Sequence, residues 1–242
     1  MVLHRGRSKG QRLAEVEAVT KNRRSMDEQT SRDIEASYDR VAREYAEHLY
    51  GELQGKPLDR ELLDRFAERL RNAGPVCDLG CGPGQAARYL RDRGVEMHGI
   101  DLSPGMVAEA RRLNPDIPFE PGDMLALDSK DGAWAGIAAF YSIVHLLPEE
   151  IPRALAGVKR VLRPGGLFLL AFHVGEEVIH RDEMWGREVD LDFRFFLLED
   201  IEAALRSAGF EIEEVHVREP YPKIEYPSRR TYILARTILE DR

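Results

Sequence analysis

The stretch Val76-Cys77-Asp78-Leu79-Gly80-Cys81-Gly82-Pro83-Gly84-Gln85 constrains this chain more than any other. A short apolar run ends in an acid, and three glycines at alternating positions lead into a helical pattern. Glycine serves where backbone turns with φ > 0 or comes close to a ligand. A helix that opens straight after such a turn presents free N–H groups and the positive end of its dipole. The stretch reads as a first strand, a ligand-cradling turn and a helix.

Downstream of Gln85 the chain keeps that rhythm. A second strand is expected over 95–100, ending at Asp101, with Ser103 as N-cap and Pro104 opening the next helix. A third, over 117–120, leads into Gly122-Asp123-Met124, and a fourth covers 134–141. Pro148 opens a helix with Ile151, Leu155, Val158 and Leu162 on one face. Arg163-Pro164-Gly165-Gly166 breaks it, and 167–172 reads as a strand buried on both faces. The segment 173–196 fits no clean period and is expected to be an irregular insertion. A helix over 198–208 and two strands, 210–217 and 231–237, close the pattern, the strands joined by a Pro- and Tyr-rich loop over 219–230. Alternating strands and helices with short links predict an open, mostly parallel sheet covered on both faces. Ligands of such sheets sit beyond the carboxyl ends of the strands.

Two helices precede the first strand. Ile34, Tyr38, Val41, Tyr45 and Leu49 step by three or four along the first, and Leu58, Leu62, Phe66 and Leu70 along the second, which starts at Pro57. They are expected to form an N-terminal cap over 26–73, ahead of a domain over 74–242. Residues 1–25 set Arg5, Arg7, Lys9, Arg12, Lys21, Arg23 and Arg24 against Glu15 and Glu17. So apolar-poor a segment reads as a disordered basic tail or as sequence upstream of a true start at Met26. A targeting peptide fits it less well, because acids are present and Ser is scarce.

The net charge of −8 argues against a general binder of nucleic acid or anionic membrane. No apolar run approaches the roughly 18–20 residues that span a bilayer, and no secretory signal opens the chain. Cys77 and Cys81, the only two cysteines, make no disulfide framework or zinc site and point to a reducing, cytoplasmic setting. No set of clustered carboxylates and histidines points to a metal.

The dinucleotide fingerprint G-x-G-x-x-G places its third glycine three positions after the second. Here that position is Gln85, and the glycines run G-x-G-x-G behind an acid. A pyrophosphate disfavours a carboxylate such as Asp78 so close by, whereas a ligand with an ammonium group suits it.

Taken together, Cys77–Gly84, Gly99-Ile100-Asp101-Leu102-Ser103 with Met106, Gly122-Asp123-Met124, and Val161–Leu167 with its Arg-Pro-Gly-Gly turn resemble four ordered motifs of the class I S-adenosylmethionine-dependent methyltransferases. The resemblance runs over about 37–236. It implies a Rossmann-like, doubly wound, seven-stranded α/β sheet with an antiparallel last strand, and S-adenosylmethionine as cofactor, leaving as S-adenosylhomocysteine. It also implies that Gly80, Gly82 and Gly84 let backbone approach the methionine end of the cofactor, with Asp78 beside its ammonium. Asp101 would take the ribose hydroxyls, Leu102 and Met106 the adenine surroundings, Asp123 the exocyclic amine and Met124 a face of the ring. Phe140 and Tyr141 would line the meeting point of methyl and acceptor.

Candidate bases are His145 and His173, each just past a strand's carboxyl end. Tyr38 and Tyr45 lie on one face of the first helix, where relatives place a lid. Arg229 and Arg230, with Lys223, Tyr221 and Tyr226 nearby, offer a basic-aromatic edge for an acidic small molecule. The size and charge favour a small-molecule acceptor over nucleic acid. Two other readings stay open: a non-catalytic S-adenosylmethionine-binding protein, and a nicotinamide-dependent oxidoreductase, which Gln85 disfavours.

Overall fold

Seven strands make one sheet. In the computed structural model, which describes residues 31–238, β1 (Val76–Leu79), β2 (Met97–Asp101), β3 (Phe119–Pro121), β4 (Trp134–Phe140) and β5 (Leu162–His173) pair in parallel. The order across the sheet is β3-β2-β1-β4-β5-β9-β8. The last strand, β9 (Arg230–Thr237), runs antiparallel and lies between β5 and β8 (Phe210–Arg218). The basic segment 1–25 and the start of the expected cap at 26–30 lie outside the described residues.

The sheet is apolar on both faces because both are covered, as a parallel sheet requires. On one face Ile137, Phe168, Leu170 and Ile233 pack with α5 (Ile151–Val161) and α6 (Leu198–Ser207). On the other, Val76, Ala138, Leu169 and Tyr232 pack with α2 (Pro57–Leu70), α3 (Gln85–Arg91) and α4 (Pro104–Leu113). Helix α2 is therefore part of the layered body, which corrects the expectation that both leading helices form a cap. Its Leu62, Leu63, Phe66 and Leu70 share that core. Gly136 admits it: a Cβ there would stand 2.5 Å from Leu70. The first helix, α1, which covers 31–49, lies over the carboxyl ends of the strands.

The expected irregular insertion is an ordered hairpin, β6 (Val178–Met184) paired antiparallel with β7 (Arg187–Arg194). Its two-residue loop, Trp185-Gly186, has φ of 50° and 77°, the pair of positive values that a type I′ turn needs. A tryptophan at the first of these positions hides the usual Asn-Gly signal. The alternation is also one-sided. β6 is exposed along most of its length, whereas Val189 and Leu191 of β7 are buried against Val41 of α1, flanked by Phe193. The hairpin and α1 thus form a lid with a small apolar core of its own.

That packing sets an expectation for stability. Leu191 is fully buried, so Leu191→Ala is expected to destabilise the protein by about 2–5 kcal/mol, read from the midpoint of urea unfolding. Val178→Ala, on the same hairpin but half exposed, should change it by less than about 0.5 kcal/mol.

Candidate functional site

The carboxyl ends of β1, β2, β4 and β5 open into a cavity of about 350 Å³ beneath α1 and the hairpin. The turn after β1 supplies its floor. Gly82 has φ of 51°, and a Cβ there would meet nothing closer than Tyr45 at 3.8 Å, so its backbone faces open space. Gly80 also lines the cavity, with Ser142 pressed against it.

Gly84 and Asp78 are not among the residues that line the cavity. Gly84 is the left-handed N-cap of α3, and a Cβ there would clash with the Phe119 ring at 2.8 Å. Its glycine answers to helix–strand packing. Asp78 Oδ2 accepts from Ala87 N–H at 2.9 Å, so the carboxyl is turned under the turn toward the first turn of α3. Burial, above all, pushes its pKa up to about 7.

Asp101 stands at the cavity edge. Its Oδ2 accepts from Gly82 N–H at 2.7 Å and its Oδ1 from Ser103 N–H at 2.9 Å. Each oxygen keeps a second acceptor site. Desolvation raises this carboxyl to about 6, against the pull of those two bonds. Leu102, Met106, Asp123, Met124, Phe140 and Tyr141 all line the same cavity. Tyr141 closes β4 with φ of 55°, a conformation that a non-glycine residue holds at some cost and that recurs at ligand sites.

The two histidines differ. His145 uses both ring nitrogens: Nδ1 meets the Asp192 carbonyl at 2.8 Å, and Nε2 meets Tyr38 Oη at 2.6 Å. A carbonyl only accepts, so Nδ1 carries the proton and the Tyr38 hydroxyl donates to Nε2. Burial lowers the His145 pKa to about 4, which keeps the ring neutral. The residue ties the loop after β4 to α1 and β7. His173, at the end of β5, contacts Ser228 Oγ at 2.7 Å through Nδ1, while its Nε2 has no hydrogen bond among the described residues. Burial and then Arg230 and Lys56 push its pKa down to about 3.

Tyr45 lines the cavity from α1 and meets Trp185 of the hairpin loop edge-on, with ring centroids 5.7 Å apart. Arg230 also lines the cavity, but Arg229 does not. The Arg229 side chain is 57% exposed and faces Glu219 at 3.7 Å. Neighbouring residues of an extended chain point to opposite sides, so only one arginine of this pair can face inward.

Sequence reasoning missed the residues around Arg230. Asp59, Lys56 and Glu225 line the cavity, and Arg218 holds the two acids together. One signal was present: Asp59 lies three, four and seven residues before Leu62, Leu63 and Phe66, which puts a charge on the buried stripe of α2. Of the seven buried side-chain polar atoms without a hydrogen bond among the described residues, four belong to the cavity wall: Asp59 Oδ1, Gln85 Oε1, Ser142 Oγ and Arg230 Nε. Buried polar groups are ordinarily paired, so this concentration marks a site built for a polar ligand. No three His, Cys, Asp or Glu side chains among the described residues converge as a metal site would require. No helix among them is long and apolar enough to cross a membrane.

A cavity at the switch point of such a sheet, floored by this glycine turn and edged by Asp101, defines the class of protein. Residues 76–166 match the methyltransferase domain family. The chain is 30% identical over 200 residues to the malonyl-[acyl-carrier protein] O-methyltransferase of Erwinia pyrifoliae, covering 79% of this chain and 71% of that one. It is 33% identical over 142 residues to the demethylmenaquinone methyltransferase of Beutenbergia cavernae, covering 57% of each. The chain thus spans about half to seven tenths of the length of curated relatives it matches. The [4+2]-cyclase SpnF has a similar fold, with a TM-score of 0.65 at 22% identity, covering 87% of this chain and 97% of that one. The protein belongs to the class I S-adenosylmethionine-dependent methyltransferases.

The raised carboxyls give the site a pH signature. The folded state holds the protons of Asp78 and Asp101 more tightly than an unfolded chain, whose carboxyls titrate near 3.8. Stability from these groups is therefore full below about pH 4 and is lost as pH rises to about 7. Thermal unfolding of ligand-free protein should show this fall, and Asp78→Asn, which keeps an acceptor for Ala87 N–H, should flatten it in part, leaving the contribution of Asp101.

Proposed function

We propose that the protein transfers the methyl group of S-adenosylmethionine to a small-molecule acceptor by in-line displacement. The observation that carries this reading is the conjunction at the cavity floor: the open backbone of Gly82 beside an Asp101 carboxylate with two acceptor sites to spare. The donor set fits the cofactor. Gln85 Oε1 is buried, without a hydrogen bond and within reach of the Gly82 face, which suits it to an ammonium. Asp101 suits a pair of ribose hydroxyls, and Leu102, Met106 and Met124 an adenine, with Asp123 beside them. Asp78 accepts from Ala87 N–H, which supports a role in holding the turn beneath the cofactor's ammonium.

When bound, the cofactor supplies a sulfonium whose methyl is already activated toward a nucleophile. The remaining work belongs to the chain. Alignment of acceptor and methyl contributes up to roughly 7–11 kcal/mol in ideal cases, and the lid of α1 and the hairpin supports it by excluding water. The Tyr38–His145–Asp192 tie holds that lid against the loop after β4. We assign His145 a positioning role, because both nitrogens are engaged. His173, neutral and with Nε2 open, accepts a hydrogen bond from the acceptor. Its low pKa makes it a weak store for a proton, so its contribution is orientation.

Isothermal titration with S-adenosylhomocysteine, paired with transfer of labelled methyl to a panel of small acceptors, tests the reading. Binding of S-adenosylhomocysteine in the micromolar range, with NAD inert, is expected; the reverse preference would exclude a methyltransferase. Binding without transfer to any acceptor would favour a non-catalytic role. Asp101→Ala should weaken S-adenosylhomocysteine at least about tenfold, equal to about 1.4 kcal/mol. Affinity in the unaltered protein should fall below about pH 6, where Asp101 takes up a proton and loses acceptor capacity. Asp101→Asn should remove that pH dependence.

A further inference from the structure

The cavity wall at the ends of β4 and β5 and the start of β9 holds a group of buried charges on the side away from the glycine turn and Asp101. Glu225 lies at its centre, and its oxygens are already taken. Arg218 reaches them with Nη1 at 2.6 Å and Nη2 at 2.8 Å, and Tyr221 N–H donates at 2.8 Å. Asp59, fully buried, is held in turn by Arg218 at 2.9 Å and by the Tyr232 hydroxyl at 2.7 Å. Both acids thus serve Arg218 first.

Two further cations crowd the same place. Lys56, 6% exposed, donates to Glu52 at 2.5 Å and stands 3.7 Å from Glu225. Arg230, 3% exposed, gives Nη1 to the carbonyls of Tyr226 at 3.0 Å and Ser228 at 2.7 Å. Its Nε stands 3.3 Å from Glu225 Oε1 but forms no hydrogen bond, and Nη2 has none among the described residues. Arg230 is therefore a buried cation without a hydrogen-bonded carboxylate. Both cations face the ring of Tyr141, Lys56 at 5.3 Å and Arg230 at 5.9 Å from its centroid, where β4 delivers that ring to the cavity.

A guanidinium with an unused edge matches a carboxylate, whose two oxygens meet two N–H groups of the fork. Nε faces Glu225 without a hydrogen bond and Nη2 has no hydrogen-bond partner among the described residues, so an anion entering the cavity would supply the bonds this guanidinium lacks. We infer that the acceptor carries a carboxylate, which docks on Nη2 of Arg230 with Lys56 beside it, while Arg218 engages both oxygens of Glu225. This deepens the methyl-transfer reading and rests on it. Arg230 and Lys56 then select the acceptor by charge, at a wall distinct from the glycine turn that receives the cofactor.

The test uses the full chain saturated with S-adenosylhomocysteine, titrated calorimetrically with glutarate and benzoate, and with glutaramide and benzamide as uncharged partners. At least one acid is expected to bind, with its amide at least about tenfold weaker. Arg230→Met should abolish that preference, and Arg230→Lys should restore it in part. Unchanged S-adenosylhomocysteine affinity in both variants certifies that fold and cofactor site survive. Amides that bind as well as acids, acids that fail to bind, or acid binding that persists in Arg230→Met would overturn the inference. Loss of S-adenosylhomocysteine binding in the unaltered protein would instead remove the methyl-transfer reading itself.

Discussion

The connection between β1 and its neighbours governs the rest of this structure. β1 lies inside the sheet with β2 on one side and β4 on the other. The chain leaves β1 through α3 and returns to β2, and reaches β4 only after crossing back past β1. The loops at the ends of β1 and β4 therefore part, and a crevice opens between them at the switch point. That geometry delivers polar groups to the cavity from both sides: Gly82 and Asp101 from the β1–β2 side, Tyr141 and His173 from the β4–β5 side. The insertion of β9 between β5 and β8 extends the second side and brings Arg230 to the wall, because an antiparallel strand begins where its neighbours end.

A crevice open to solvent cannot align two small molecules in the absence of water, and here the cover comes from two distant parts of the chain. α1 precedes the sheet and the hairpin follows β5, yet they share the small core around Val41, Val189 and Leu191. Polar bonds orient that apolar contact. Ser37 Oγ accepts from Asp190 N–H at 3.0 Å, and Asp39 Oδ1 accepts from Ser103 Oγ and Gly105 N–H at the start of α4. His145 adds the link to the loop after β4. Cover and floor are thus joined close to cavity-lining residues, Ser103 being two residues from Asp101.

The sheet was legible because its signals are local and repeated. Apolar runs ending in glycine, Asp101 before the Ser103-Pro104 helix start, and the Pro164-Gly165-Gly166 turn each declare themselves within a few residues. The hairpin was not, because its turn uses Trp185 and its outer strand has no buried face, so no period survives. Side-chain direction was also out of reach. Gly84 and Asp78 belong to the same motif as Gly82, yet one answers to Phe119 and the other to Ala87 N–H. The charged wall was hidden for a further reason. Lys56, Asp59, Arg218, Glu225 and Arg230 span 175 positions of sequence, and only the folding of α2 against β8 and β9 brings them together.

That wall is hard to explain as a device for stability. Removing charges from water costs several kcal/mol per ion even after relaxation, and apolar replacements of buried ion pairs are often neutral or stabilising. The surrounding positions show that apolar packing was available, since Leu62, Leu63 and Phe66 of the same helix fill the neighbouring core. What a charged cluster provides that an apolar one cannot is fixed direction. Arg218 spends its donors on Asp59, Glu225 and Tyr232, which locks α2, β8, β9 and the loop before β9 into one register. Tyr232 in turn meets Tyr141, the strained residue at the end of β4, at 2.9 Å. The chain of contacts runs from a helix ahead of the sheet to the ring at the cavity wall, and it ends on Arg230 with an edge unspent. The network's two buried unpaired atoms, Asp59 Oδ1 and Arg230 Nε, both belong to residues of the cavity wall, where apolar packing alone would leave no polar atom to satisfy.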